Sequence, residues 1–248
     1  MKLTWLVLNG NQVPDLAPLK GMPLTSLKLV LCAVKDLSPL QGMPLTWLNL
    51  DNNPVTDLSP LLGMPLTSLN VSNTPVGDLL PLKSLPITWL NLWACRNVKD
   101  LSPLAGMKLT LLELGCTPVS DLTPLKGLPL TSLDLFDCPN VRDLKPLTGV
   151  KLTRLGIAGT RVSDLTPLKG MPLKHLGFDA SEELRDLTPL EGMSLEKLQL
   201  VNPNKITKGL DVIRNMKSLK TIFPDVNEST PLPAAEFWKK YDAGEFNK

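Results

Sequence analysis

The sequence predicts an α/β repeat solenoid, in which copies of one short strand stack into a concave parallel β-sheet. Each strand is returned by a single 3₁₀ or α turn on the convex side. Three observations predict this. First, a tandem repeat runs through nearly all of the 248 residues, opened by Leu3, Leu24, Leu45, Leu66, Ile87, Leu109, Leu130, Leu152, Leu173, Leu195 and Leu219. Second, its period is 21 or 22 residues until a last interval of 24, and a fixed period of this size marks units that bury their apolar faces only against their neighbours. Third, each unit changes pattern along its length, from alternating apolar residues to a segment bounded by Pro and Gly. Residues 1–222 read as the solenoid, ten to eleven repeats with no N-terminal cap, and residues 223–248 as a C-terminal loop with a short capping helix.

The strand comes first in each unit. In Leu45-Thr46-Trp47-Leu48-Asn49-Leu50 the leucines point inward, while Trp47 and Asn49 point out, the pattern of a half-buried strand. A small polar slot follows, filled by Asn11, Cys32, Asn53, Thr74, Cys95, Thr117, Cys138, Thr160 and Ser181. Here the chain leaves the sheet, and buried backbone groups need partners or cost about 1–3 kcal/mol each. The return segment is Val-x-Asp-Leu-Ser/Thr-Pro-Leu, as in Val55 to Leu61. Ser or Thr before Pro reads as a helix N-cap followed by the first helical residue, and the next Gly-Met-Pro limits the helix to one turn. Asp recurs at 15, 36, 57, 78, 100, 121, 143, 164 and 186. This row reads as turn-capping carboxylates bonded to backbone N–H groups, in preference to a metal or acid site. In the 22-residue units containing Asn97 and Asn140 the added residue falls in the turn, leaving the strand spacing untouched.

Charge and cysteine usage narrow the function. The net charge is +2 and charges alternate in sign along the chain; nucleic acid requires a clustered basic face, so neither nucleic acid nor a membrane surface is expected as a partner. No apolar run approaches the ~20 residues of a transmembrane helix. The opening residues from Met1 to Leu8 lie in repeat register and read as a first strand rather than a targeting segment. Cys32, Cys95 and Cys138 share the polar slot but stand two or more repeats apart, roughly 10 Å at ~4.8 Å per strand, beyond disulfide reach; Cys116 falls one position earlier. Free thiols fit a reducing compartment, and the expected localisation is cytoplasmic.

The run L-T-x-L-x-L-x-x-N-x-V, with the return V-x-D-L-S/T-P-L, resembles the leucine-rich-repeat consensus of the short bacterial, internalin-like class over about residues 3–222. The resemblance implies a leucine-rich-repeat horseshoe and a bacterial, non-catalytic role in protein binding. The chain departs from secreted, capped members in having no disulfide-bonded N-terminal cap and in placing Cys or Thr at several Asn positions.

At the N-terminal end Leu3, Leu6 and Leu8 would expose one side of the core on an unpaired edge. This fits a segment cut from a longer protein, or self-association through the uncapped edge. After Ile222 the repeat stops, a polar loop Asp225–Thr230 follows, and Pro233 sits well for a helix start, with Phe237, Trp238 and Tyr241 at i, i+1 and i+4 covering the last repeat.

The search for chemistry finds His175 alone among histidines, in an outward strand slot, and no triad, phosphate loop or metal-ligand spacing. No enzyme activity, cofactor or metal is expected. The surface that varies is the outward strand face. Trp47, Trp89 and Trp93, edged by Asn49, Asn70, Asn91 and Asp51, form the candidate partner-binding patch, because aromatic anchors dominate interface hot spots. The expected function is a protein- or peptide-binding scaffold. The alternatives are carbohydrate binding, with sugar rings stacked on the exposed indoles, and a structural spacer from a larger signalling protein such as a kinase.

Overall fold

A computed structural model describes residues 3–179, 183–225 and 230–246. The chain forms two compact units, Met1–Pro129 and Leu130–Lys248.

In the first unit six strands, β1 (Trp5–Val7), β2 (Ser26–Lys28), β3 (Trp47–Asn49), β4 (Ser68–Asn70), β5 (Trp89–Asn91) and β6 (Leu111–Glu113), pair in chain order and in parallel. The register is constant: Trp5 faces Ser26, Ser26 faces Trp47, Trp47 faces Ser68, and Ser68 faces Trp89. The central residues Leu27, Leu48, Leu69, Leu90 and Leu112 therefore form one inward column, and all are fully buried. Further columns are made by Leu24, Leu45, Leu66 and Ile87, and by Val34, Val55 and Val76. Each such side chain contributes about 1.5–3 kcal/mol by leaving water, but only because the next repeat covers it. The 22-residue unit keeps the register, with Trp89 opposite Leu111. Its extra residue lies in the turn, where the Asn97 amide donates to the Pro75 carbonyl at 2.9 Å.

The return segments form 3₁₀ turns, among them Ser38–Leu40, Ser59–Leu61 and Thr123–Leu125. The expected Ser/Thr N-cap is corrected here. In the Ser59 turn the capping position is Leu58, whose side chain makes no capping bond, and Ser59 is the first helical residue. The orphan N–H groups are served from two residues upstream: Asp57 Oδ1 accepts from the Ser59 N–H at 2.8 Å and Asp57 Oδ2 from the Ser59 hydroxyl at 2.8 Å. The carboxylate reaches both donors, and the following Pro brings no N–H of its own. All nine recurring aspartates accept the backbone N–H two residues on, at 2.7–2.8 Å.

The polar slot works as its chemistry requires. Asn53, buried, accepts from the N–H groups of Cys32 (3.1 Å) and Val34 (3.0 Å) and donates to the carbonyls of Leu50 (2.9 Å) and Leu29. Thr74, Thr117 and Thr160 each donate to the carbonyl three residues back at 2.6 Å. The Cys95 thiol donates to the Val71 carbonyl at 3.0 Å, and burial pushes its pKa up, which keeps that proton in place. All four cysteines are free. Ser181 lies outside the described residues.

The second unit carries β7 (Ser132–Asp134), β8 (Arg154–Gly156), β9 (His175–Asp179), β10 (Lys197–Val201) and β11 (Thr221–Phe223), with β7 to β8, β8 to β9, β9 to β10 and β10 to β11 paired in parallel. A short helix, α1 (Leu210–Arg214), takes the place of a 3₁₀ turn, started by Gly209 at φ +76°. Beyond β11, β12 (Leu232–Pro233) adds antiparallel and leads into α2 (Ala234–Asp242). Phe237 is fully buried; its ring meets Trp238 edge-on and stacks on Phe246, each at 5.0 Å between centroids. The Arg214 guanidinium lies 5.4 Å from the Trp238 ring centre and pairs with Asp242. Of the polar loop after Asp225, residues 226–229 lie outside the described residues.

Candidate binding face

Three positions of each strand unit face outward or lie at the strand end, and parallel pairing turns them into columns. The first column in the first unit is Trp5, Ser26, Trp47, Ser68, Trp89 and Leu111; the second is Val7, Lys28, Asn49, Asn70, Asn91 and Glu113. The register brings the predicted patch together. Trp47 on β3 and Trp89 on β5 stand two strands apart, roughly 10 Å, with Ser68 of β4 between them. Asn49, Asn70 and Asn91 are direct neighbours, while Asp51 and Trp93 lie two residues beyond Asn49 and Asn91.

The patch is less exposed than the sequence reading expects. Trp47, Trp89 and Trp93 are half-buried, as are Asn70, Asn91 and Asp51, and Asn49 is buried. For Trp93 the cause is lateral packing: a Cβ added to Gly115 would stand 2.2 Å from its ring, so the indole packs against that glycine. The asparagine oxygens are also occupied. Asn49, Asn70 and Asn91 accept from the backbone N–H of Asp51, Ser72 and Trp93 at 2.9, 2.8 and 2.8 Å, closing the strand end two residues on. Their amide nitrogens make no hydrogen bond to the described residues. Asp51 Oδ1 accepts from the Ser72 hydroxyl (2.7 Å) and the Asn73 amide (3.1 Å). The Trp93 ring and the three asparagine oxygens are thus held in place by their neighbours.

Two features escaped the sequence reading of this site. Trp5 heads the same column and is 62 % exposed, more than any other tryptophan; its membership of the column was visible in the sequence, but the contrast with the half-buried Trp47 and Trp89 was not. A depression of about 320 Å³ opens between the turns that follow β4 and β5, lined by Asn73, Thr74, Pro75, Ala94, Arg96 and Asn97. The inserted residue of that repeat was its only signal.

In the second unit the corresponding face is built differently. Arg154 faces His175 and His175 faces Lys197 along the first column, and Gly156 faces Gly177 in the second. Arg154 Nη1 stands 2.5 Å from His175 Nδ1, and the His175 ring stacks on Phe223 at 6.2 Å. Asp134 and Gln199 lean over the two glycines, where added Cβ atoms would meet Asp134 Oδ1 at 2.6 Å and Gln199 Oε1 at 2.5 Å. Burial pushes the Asp179 carboxyl up.

Among the described residues no group of three or more His, Cys, Asp or Glu side chains could hold a metal ion. No helix among them is long and apolar enough to cross a membrane.

No protein-family model matches the sequence, and no curated protein matches it significantly. Solved structures do match. An internalin (inlF) from Listeria monocytogenes is 26% identical with a TM-score of 0.62, the match covering 90% of this chain and 81% of that one. An internalin C2 (inlC2) from the same species is 28% identical with a TM-score of 0.57, covering 71% of each chain.

Proposed function

We propose that this chain, a leucine-rich-repeat protein of the short internalin-like class, is a non-catalytic scaffold that binds a protein or peptide partner on the strand face of its first unit. One observation carries the reading: Trp47 and Trp89 stand in one register column with Ser68 between them, Trp93 lies two residues beyond Asn91 and packs against Gly115, and all three rings are half-buried. A ring already fixed in place loses little conformational freedom on binding and presents a large apolar area with a polar edge, which is the chemistry of interface hot spots. The likeness to internalins supports an interaction role in general terms, and the face and its partner are our assignment.

The test compares the intact chain with a Trp47→Ala/Trp89→Ala/Trp93→Ala variant whose fold is checked by circular dichroism. Each is used to capture partners from a lysate of the source organism, and the captured protein is then purified and titrated. Binding by the first and at least tenfold weaker binding by the second is expected; equal affinity would sink the assignment.

A second reading has one observation in its favour. Indoles two strands apart, with a row of amide donors beside them, also suit a polysaccharide chain. Titration with soluble glucans and chitin oligomers, followed by tryptophan fluorescence, separates the two: a saturable shift lost in the triple variant makes the face a sugar site.

A further inference from the structure

The first outward column of the first unit has a period of its own. Trp5, Trp47 and Trp89 stand on β1, β3 and β5, with Ser26 and Ser68 between them on β2 and β4. At ~4.8 Å per strand the tryptophan positions recur every ~9.6 Å, and the three span about 19 Å. Each serine leaves room between two indoles. A row of donors runs beside this column. The amide nitrogens of Asn49, Asn70 and Asn91 donate to nothing among the described residues, while their oxygens are held by backbone N–H groups. Lys28 precedes Asn49 in that second column, is half-buried, and pairs with no carboxylate among the described residues.

This spacing selects among the shapes a peptide can take. An extended strand returns a side chain to the same face every ~6.8 Å, out of step with the tryptophans from the first interval. An α-helix rises 5.4 Å per turn and drifts from the strands by about 2 Å over four intervals. Its carbonyls are also bonded internally. A polyproline II helix has three residues per turn and a rise of 3.1 Å, so one face recurs every ~9.3 Å. Six of its residues cover about 18.6 Å, against about 19 Å for the column. Its backbone makes no internal hydrogen bonds, which leaves every carbonyl free to accept from the asparagine amides.

Resting on the protein-binding reading, we propose that the partner presents a proline-rich segment in the polyproline II conformation, lying along the column from β1 to β5. Prolines at i, i+3 and i+6 pack against Trp5, Trp47 and Trp89 in the room that Ser26 and Ser68 leave, as such segments do on aromatic-lined grooves. Carbonyls between the prolines accept from the amides of Asn49, Asn70 and Asn91. An acidic residue between the first two prolines complements the charge of Lys28. The segment is stiff before it binds, so little chain entropy is lost on docking. Trp5 thereby joins the interface, which extends past the patch of Trp47, Trp89 and Trp93 to the first strand.

The experiment uses the full chain with fluorescein-labelled nonaproline and its analogue carrying Glu in third place, binding being read by anisotropy. Saturable binding of both is expected. Trp5→Ala should weaken it about tenfold, as loss of an aromatic anchor does. Ser68→Leu fills the room between Trp47 and Trp89 and should weaken it to a similar degree with every indole intact. Lys126→Ala, on a turn away from the column, should leave it unchanged. The Glu analogue should bind about threefold tighter than nonaproline, an advantage lost in Lys28→Ala. Unchanged affinity in Trp5→Ala overturns the proposal. Displacement of labelled nonaproline by a chitin oligomer at lower concentration than by unlabelled nonaproline overturns it in favour of a sugar. If nonaproline does not bind, while a partner captured from lysate is still lost in the tryptophan triple variant, this proposal falls and the protein-binding reading stands.

Discussion

The two units share one inward pattern and differ in almost everything else. In residues 3–129 the strands are three residues long, the strand starts are Thr, Ser, Trp and Leu, and each return is a 3₁₀ turn. In residues 130–246 two strands reach five residues, a helix replaces one turn, the strand starts turn basic, and the tryptophan is buried on α2 instead of standing on the strand face. Yet Leu133, Leu155, Leu176 and Leu198 stand where Leu27, Leu48 and Leu69 stand, all at most 1 % exposed. A solenoid is held together repeat by repeat, so selection on stability fixes the inward columns and leaves the outward ones open. The difference between the units therefore lies where partners can read it.

The aromatic residues give this contrast its strongest test. Phe237, on α2, is fully buried, whereas Trp5 is mostly in water. Phe237→Ala should cost about 3–5 kcal/mol in urea unfolding, as large-to-small changes in a closed core do. Trp5→Ala should move stability by no more than about 0.5 kcal/mol. Deleting residues 231–248 should likewise lower the melting temperature sharply, with amide exchange rising first in β11 and β10 if α2 serves as a cap. Similar costs for the two point substitutions would erase the distinction between structural and available rings.

Next in size are the polar slots. Asn53 in the first unit serves five backbone groups, and Thr160 in the second serves one carbonyl. Asn53→Ala leaves several buried groups unpaired and should cost about 3 kcal/mol; Thr160→Val, losing one bond while keeping its shape, should cost about 1 kcal/mol. Chemical denaturation of the pair decides whether the slot works by counted hydrogen bonds.

Where the units agree, pH should affect them alike. Asp36, Asp100 and Asp121 in one, and Asp164 and Asp186 in the other, are held below the usual carboxylate range by hydrogen bonds from the Ser or Thr two residues on. A carboxyl with a lowered folded pKa adds stability that is fully present above its unfolded value, about 3.9, and that is lost as pH falls through the folded pKa. The melting temperature should therefore fall below about pH 4. Asp179, raised by burial, works in the opposite direction and offsets a part of that loss. A flat profile from pH 5 to 3 would mean the turn caps carry no linkage.

Much of this was legible in the sequence, and the exceptions have physical reasons. The period located the strands because only a repeating unit places Leu45, Leu66 and Ile87 in one column. The small polar slot was readable as a hydrogen-bonding site because Asn, Thr and Cys have that property in common. The Asp57 cap was readable from the recurrence of Asp in every turn, whereas the exclusion of Ser59 as N-cap was not, since either side chain can cap a turn and only geometry shows which reaches the N–H. The half-burial of Trp93 depended on Gly115, a residue 22 positions away.

The smallest effect probes a position used after each of β1 to β8, which the two units fill differently. Immediately before the polar slot the backbone is left-handed: φ is +56° at Leu31, +58° at Asn52 and +53° at Asn73 in the first unit, +51° at Asp137 and +73° at Gly159 in the second. Asn, Asp and Gly adopt this conformation readily, and a leucine does not. Leu31 is also 57 % exposed, so little packing compensates it. Leu31→Asn should stabilise the chain by about 0.5–1 kcal/mol. Gly159→Ala should destabilise it by about 1–2 kcal/mol, since the added Cβ takes on the same strain and also stands 2.9 Å from Asp137 Cα. Equilibrium unfolding of the two variants is expected to shift in opposite directions. Shifts of the same sign would mean that the turn after the strand relaxes to suit its residue, and that this column, unlike the inward leucines, is not fixed by the fold.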